Sequence, residues 1–210
     1  MKQIKCIIFD FGRVIGNFDH MITCSKLSGF SVHSADEIYR LIFKSGLEKQ
    51  YDEGLDFKTF YDRVREAIGA NQKLTIEMFA EMWGDIFSEN DGIQKVLEKI
   101  NPDIKILLLS NTNQVHWIYI SKIPAIEKFF GDRRRLILSF ELGFRKPDKR
   151  IFKEGVRKSE CKPDEIIYVD DVPEYIEAVR NLGINGILYN CQTDPIEKLQ
   201  NELSQFGVLK

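Results

Sequence analysis

Four short stretches of the chain end an apolar run on residues able to do chemistry. "KCIIFDFGRVIG" delivers Asp10 into a turn containing Gly12, "IKILLLSNT" ends on Ser110, Asn111 and Thr112, "RLILSF" is followed by Lys146, and "IIYVDD" ends on Asp170 and Asp171. Taken singly, each has a bland reading. Asp10 can begin a turn, Ser110 and Thr112 can cap a helix, Lys146 can be surface charge, and the Asp pair can precede the helix opened by Pro173. Gathered at one edge of a sheet, they make a site. Three carboxylates within a few ångströms repel by about 4 kcal/mol per pair at an effective dielectric near 20, so such a cluster shifts its pKa values or holds a cation. The donors are all oxygens, which selects Mg²⁺ over zinc. A lysine, a hydroxyl and an amide beside that ion form a cradle for a phosphate group. One carboxylate can then attack phosphorus, splitting one difficult displacement into two easier ones.

The elements that must position these residues are legible in outline. Apolar runs at "IKCIIFDF", "IKILLLSNT", "RLILSF", "IIYVDD" and "INGILY" show little polar alternation, as expected of parallel strands covered on both faces. Helical patterns lie between the later runs. "PDKRIFKEGVRKSE" has Pro147 near its first turn, "VPEYIEAVRNLG" has Pro173 near its start and Gly183 as its stop, and "TDPIEKLQNELSQFG" is expected to use Asp194 as its cap. Alternating strand and helix predicts an α/β, doubly wound parallel-sheet core. In such sheets ligands bind beyond the carboxyl ends of the strands, where all four stretches end.

Between the first and second runs no strand-like stretch is seen. "SADEIYRLIF" opens with a capping-box pattern, Ser34 and Glu37, and "FKTFYDRVREAIG" and "TIEMFAEMWGDIF" carry aromatic stripes at helical spacing. Such stripes predict packing rather than cofactor contact. The expected division is a core of residues 1–16 and 90–210 with an all-helical cap over 17–89. Lys44, Lys49, Tyr51, Trp83, His116 and Trp117 are the candidates for facing the site from the cap side, each with packing or solvent as the plainer alternative.

Composition narrows the function classes. A formal charge of -2 on 210 residues leaves no basic excess to displace phosphate counterions, so nucleic acid is not expected as a partner. Four cysteines, Cys6, Cys24, Cys161 and Cys191, form no C-x-x-C pair and read as free thiols in a reducing, cytoplasmic compartment. No apolar stretch of roughly 18 residues exists, so no membrane span is expected. The expected partner is a small phosphorylated metabolite, and the expected state a monomer or weak homodimer.

The ordered set of motifs resembles the haloacid dehalogenase superfamily, in particular its phosphatases with a helical cap inserted after the first motif, and among these the bacterial sugar-phosphate phosphatases of the α-glucose-1-phosphate type. "IIFDFGRVIGNFD", "LLLSNTNQVH", "SFELGFRKPDKRIF" and "IIYVDDVPEYIEAV" look like the family's first to fourth motifs. The resemblance implies Asp10 as nucleophile and metal ligand, and Ser110 and Lys146 as holders of the transferring phosphoryl group, with Asn111, Gly12 and Arg13 beside the substrate. It implies Mg²⁺ on Asp10, the Gly12 carbonyl and Asp171, with Asp170 behind the ion or sharing it.

Three positions depart from the family pattern. The usual second aspartate, two residues after the nucleophile, is Gly12; the next residue is Arg13; and an expected Asn is Tyr175. Gly12 keeps the carbonyl and removes an acid/base group that typically contributes 10²- to 10⁴-fold. The expectation is a phosphatase biased toward aryl, acyl or anomeric phosphates unless another group, Asp19 or His116, substitutes. The alternatives are a 2-haloacid dehalogenase, which also lacks the second aspartate, and a catalytically weak relative that binds a ligand or partner.

Overall fold

The computed structural model describes residues 3–210. Its strands are β1 (Cys6–Phe9), β2 (Gly16–Phe18), β3 (Phe87–Glu89), β4 (Lys105–Ser110), β5 (Leu136–Leu138), β6 (Ile166–Asp170) and β7 (Asn185–Leu188). Five of them form one parallel sheet in the order β5-β4-β1-β6-β7. All four residues of β1, at its centre, are buried. Alternate residues serve opposite faces, as the pleat requires. Ile7, Phe9, Leu108 and Val169 join one core with the helices Ile93–Lys99, Pro124–Phe130 and Ile196–Gln205. Ile8, Leu107, Leu109 and Tyr168 join another with Lys149–Ser159 and Pro173–Arg180. This two-sided cover is why the strands read as unbroken apolar runs.

The register brings the chemistry together. Phe9 pairs with Leu108 on one side and Val169 on the other, so the next residue along each strand end, Asp10 or Asp170, emerges at the same edge. The Asp10 N–H donates to the Val169 carbonyl at 2.9 Å, extending the ladder by one bond.

The stretch between β1 and β4 carries its own core. Phe60, Val64, Ile68, Phe79 and Trp83 are buried there with Leu27, Ile38 and Tyr51, and Val115 from a sheet-flanking helix joins them. The aromatic stripes therefore pack, as their spacing predicts. Ser34 and Glu37 form the expected capping box, each side chain bonding the other residue's backbone N–H. The helix it starts widens over Arg40–Lys44 into a π-helical turn, in which the Ser45 N–H reaches the Arg40 carbonyl at 3.1 Å.

Two expectations are corrected. The stretch is not strand-free: β2 and β3 pair antiparallel, Gly16 opposite Glu89 and Phe18 opposite Phe87. Strands of three residues are too short to show a period. Asp194 is also not the cap of the last helix, because extended Pro195 takes that position. Asp194 instead accepts from the Asn190 N–H at 3.0 Å and from Lys198 Nζ at 2.9 Å. All four cysteines are free. Among the described residues no helix is long and apolar enough to cross a membrane.

Candidate active site

Lys146 lies at the centre of the strand-end cluster. Its Nζ sits 2.8 Å from Asp10 Oδ1 and 2.7 Å from Asp170 Oδ2, and all three side chains are at least nine-tenths buried. The rings of Tyr175 and Tyr168 flank it, with centroids 5.1 and 5.8 Å from Nζ. Burial disfavours the ammonium, but Asp10 and Asp170 outweigh it and hold Lys146 protonated. Tyr175, where the family pattern has Asn, thus supports the lysine through its π face.

Carboxylate oxygens of Asp10, Asp170 and Asp171 lie within 4.8 Å of one another. Burial raises the Asp10 carboxyl to about 7; Lys146 opposes this, and the two neighbouring aspartates add to it. Burial and Asp170 likewise raise Asp171. Lys146, with Arg13 at the edge beside Asp171, does not balance three carboxylates, and the uncompensated charge fits a divalent cation held by oxygen donors. Asp170 is fully buried, with Oδ2 taken by Lys146 and the Tyr168 hydroxyl and Oδ1 by the Val172 N–H. Of these three aspartates, Asp10 and Asp171 line the cavity.

Ser110 ends β4 and is buried against that cavity, its hydroxyl making only a long 3.4 Å contact to the Asn111 carbonyl. The Asn111 amide is committed elsewhere. Its Oδ1 accepts from the Lys146 N–H at 2.8 Å and its Nδ2 donates to the Lys146 carbonyl at 3.1 Å. Asn111 lines the cavity beside Ser110, and its amide pins the backbone that carries the lysine. Arg13, by contrast, is not among the residues lining the cavity. It adopts φ 55°, sits 3.7 Å from Asp171 Oδ2, and lays its guanidinium over Phe18. Gly12 does line the cavity, and a Cβ there would stand 2.8 Å from the Phe18 ring. Phe18 occupies the space a side chain at position 12 would need.

Neither substitute acid is free to act. Asp19 is exposed, outside the cavity, and caps the helix His20–Ser28 through the Met21 N–H. His116 lines the cavity, but its ring is fixed between the Asn113 amide at 3.0 Å and the Trp83 carbonyl at 3.1 Å. Burial and nearby His20 hold it well below the usual imidazole range.

The cavity, about 280 Å³, reaches from this cluster to the helical insertion. Its far wall holds His20, Tyr39, Phe43, Glu48 and Asp52, with Arg145 against the two acids, none of which the sequence singled out. The one available signal was Glu48 and Asp52 at i, i+4, on one face of the helix Leu47–Asp52. Of the cap-side candidates only His116 reaches the cavity. Tyr51 and Trp83 are core, Lys44 lies over the Tyr39 ring, Lys49 is exposed, and Trp117 packs against the sheet-side core.

Comparison with known proteins bears on the family and the fold. A family model described as haloacid dehalogenase-like hydrolase matches residues 7–189. The chain is 29% identical over 188 residues to a D-ribitol-5-phosphate phosphatase of Bacteroides thetaiotaomicron, covering 86% of this chain and 89% of that one. It is 35% identical over 75 residues to a glyceraldehyde 3-phosphate phosphatase of Methanothermobacter thermautotrophicus, covering 35% of this chain and 32% of that one. A haloacid dehalogenase family enzyme of Bacteroides thetaiotaomicron, solved with magnesium and inorganic phosphate, has the same fold: TM-score 0.75 at 24% identity, covering 91% of this chain and 96% of that one.

Proposed function

The chain belongs to the haloacid dehalogenase-like hydrolases, and from that premise we propose that it is a Mg²⁺-dependent phosphatase acting on a small phosphomonoester, a sugar phosphate or similar metabolite, through an aspartyl-phosphate on Asp10. The observation that carries the reading is the Asp10–Lys146–Asp170 contact with Asp171 beside it, at the carboxyl end of the central strands. The relatives named as phosphatases of ribitol 5-phosphate and glyceraldehyde 3-phosphate support the substrate class.

Asp10 Oδ2, the oxygen not held by Lys146, attacks phosphorus and the ester oxygen leaves with the bonding pair. Lys146 and Ser110 hold the equatorial oxygens where negative charge is greatest. Water then cleaves the acyl phosphate, returning the Asp10 carboxylate and releasing inorganic phosphate. Asp10, the Gly12 carbonyl and Asp171 would hold Mg²⁺, with Asp170 behind, and the bound ion supplies positive charge to the phosphoryl group. The acid usual two residues after the nucleophile is missing, since position 12 is glycine, and His116 is locked. Esters with good leaving groups are therefore favoured. The core, residues 1–16 and 90–210, supplies this machinery, and the cap over 17–89 supplies the far wall, with the paired strands β2 and β3 at their junction.

The test is phosphate release from a panel of phosphorylated metabolites and p-nitrophenyl phosphate, with Mg²⁺ and with EDTA. Asp10→Asn is expected to lose on the order of 10³-fold or more in turnover, and EDTA to abolish it. Equal turnover by wild type and variant overturns the reading. Release of halide from 2-haloacids that survives EDTA would favour a dehalogenase instead.

A further inference from the structure

The far wall of the cavity is built from charge that is already spent. Arg145 Nη1 lies 3.5 Å from both Glu48 Oε2 and Asp52 Oδ2, so a cation from the loop that carries Lys146 meets two carboxylates from the helical insertion. Asp52 is buried, and its Oδ1 accepts from the Asn113 amide at 3.0 Å. Burial and the adjacent Glu48 push the Asp52 carboxyl well above its usual range, against the opposing pull of Arg145. The other cation lining the cavity, Lys146, is held by Asp10 and Asp170. Burial lowers His20 to about 4 and holds His116 well below the usual imidazole range, so both imidazoles are neutral. No uncommitted positive charge remains to receive a second anion.

Uncommitted hydrogen-bonding groups, by contrast, are present. The Thr112 side chain is almost wholly buried on the cavity wall, yet its hydroxyl has no partner, and His20 Nδ1, Arg145 Nε and Arg145 Nη1 are buried without hydrogen bonds. Buried polar groups left unpaired are costly, and a ligand that pairs them recovers that cost. The remaining wall is apolar, with Phe18, Phe43, Phe87 and Ile120 facing the same space. One face suits C–H groups and the opposite edge suits hydroxyls.

We propose that Glu48, Asp52 and Arg145, together with the Thr112 hydroxyl, form a subsite that takes a neutral polyhydroxylated chain and rejects a phosphate ester whose far end carries a second anion. Hydroxyls donate to Glu48 and accept from Arg145 and Thr112. A carboxylate or second phosphate there meets two acidic side chains and an arginine already paired. The subsite rests on the phosphatase reading and deepens it, since it names which phosphomonoesters enter.

A matched pair of primary-alcohol esters tests it without changing the leaving group: sorbitol 6-phosphate and 6-phosphogluconate, which differ at C1 by hydroxymethyl against carboxylate. Wild type is expected to prefer the polyol ester in kcat/KM on the order of 10-fold to 100-fold. Glu48→Gln leaves Arg145 with Asp52 as its one acidic neighbour there and removes one acid, and is expected to lower that ratio about tenfold or more. Glu48 is less buried than Asp52, and circular dichroism checks that the variant folds; Asp52→Asn, which keeps the shape, provides the second measurement. A wild-type ratio near one, a ratio that neither variant moves, or hydrolysis of p-nitrophenyl phosphate with neither six-carbon ester turned over would each overturn the subsite while leaving a phosphatase. No phosphate from any of the three esters would overturn the phosphatase reading itself.

Discussion

At the sheet end of the cavity the charged groups are placed by backbone topology, whereas at the far end they are placed by packed rings. Asp10, Ser110 and Asp170 sit where three neighbouring parallel strands stop, and the strand register alone brings them to one edge. Glu48 and Asp52 sit on a six-residue helix whose position depends on a stack of aromatics. Tyr51 lies 4.3 Å from Phe60, Phe60 lies 4.8 Å from Trp83, and Trp83 stacks on His116 at 5.0 Å with 6° between the planes. A ladder of backbone hydrogen bonds fixes positions whatever the side chains are. A packed stack fixes them only while every ring is present. The two ends should therefore fail differently: substitutions at the sheet end should damage turnover, and substitutions in the stack should damage stability and discrimination.

The largest effect separating the two is expected at Lys146. Lys146→Met leaves Asp10 and Asp170 buried side by side without their cation, which should cost about 3–5 kcal/mol in stability. It also removes a fixed positive charge from the phosphoryl group, and kcat should fall on the order of 10²- to 10³-fold. Urea denaturation and steady-state kinetics measure the two effects. A variant that keeps its turnover would show that the lysine only neutralises the aspartates.

This contrast explains what could be read from the sequence. Asp10, Ser110, Asp170 and Asp171 were visible because each ends or directly follows an apolar run, and parallel strands put such ends together, whereas Lys146 lies past the helix Ser139–Leu142 that follows β5 and was visible through its motif. Their partners were not visible. That Asn111 clamps the Lys146 backbone depends on two loops meeting across the site, and no local spacing records it. That Arg13 turns toward Asp171 follows from its left-handed backbone, which composition does not reveal. Glu48 and Asp52 look like any solvated i, i+4 pair until the ring stack turns their helix toward Arg145. The short β2–β3 ribbon escaped for a simpler reason, since three residues are too few to show an alternation.

In the stack the next largest effect is expected at Trp83, which is fully buried and donates its indole N–H to Asn113 Oδ1 at 3.3 Å. Trp83→Ala should cost about 3–5 kcal/mol by truncation of a packed ring. Asn113 also holds Asp52 and His116, so the same change loosens the far wall. Near its folding midpoint the variant should lose preference between esters before it loses turnover of p-nitrophenyl phosphate. Parallel loss of both would show that the two ends are one cooperative unit.

The smallest effect is expected where the two regions touch, at Gly12. The position lines the cavity, but its space is filled by Phe18, which belongs to the ribbon and packs toward Phe87 and His20. Restoring an acid with Gly12→Asp alone drives the new Cβ into that ring, so kcat should change by no more than a few-fold. Pairing it with Phe18→Leu opens room for the carboxylate. The double variant should then gain about tenfold on a primary-alcohol phosphate, short of the usual 10²- to 10⁴-fold because nothing fixes the new side chain. The gain on p-nitrophenyl phosphate should be smaller, since a phenolate departs without protonation. Equal gains on both esters would mean that the substitution had acted on binding rather than on proton transfer, and that Gly12 is not what limits the reaction.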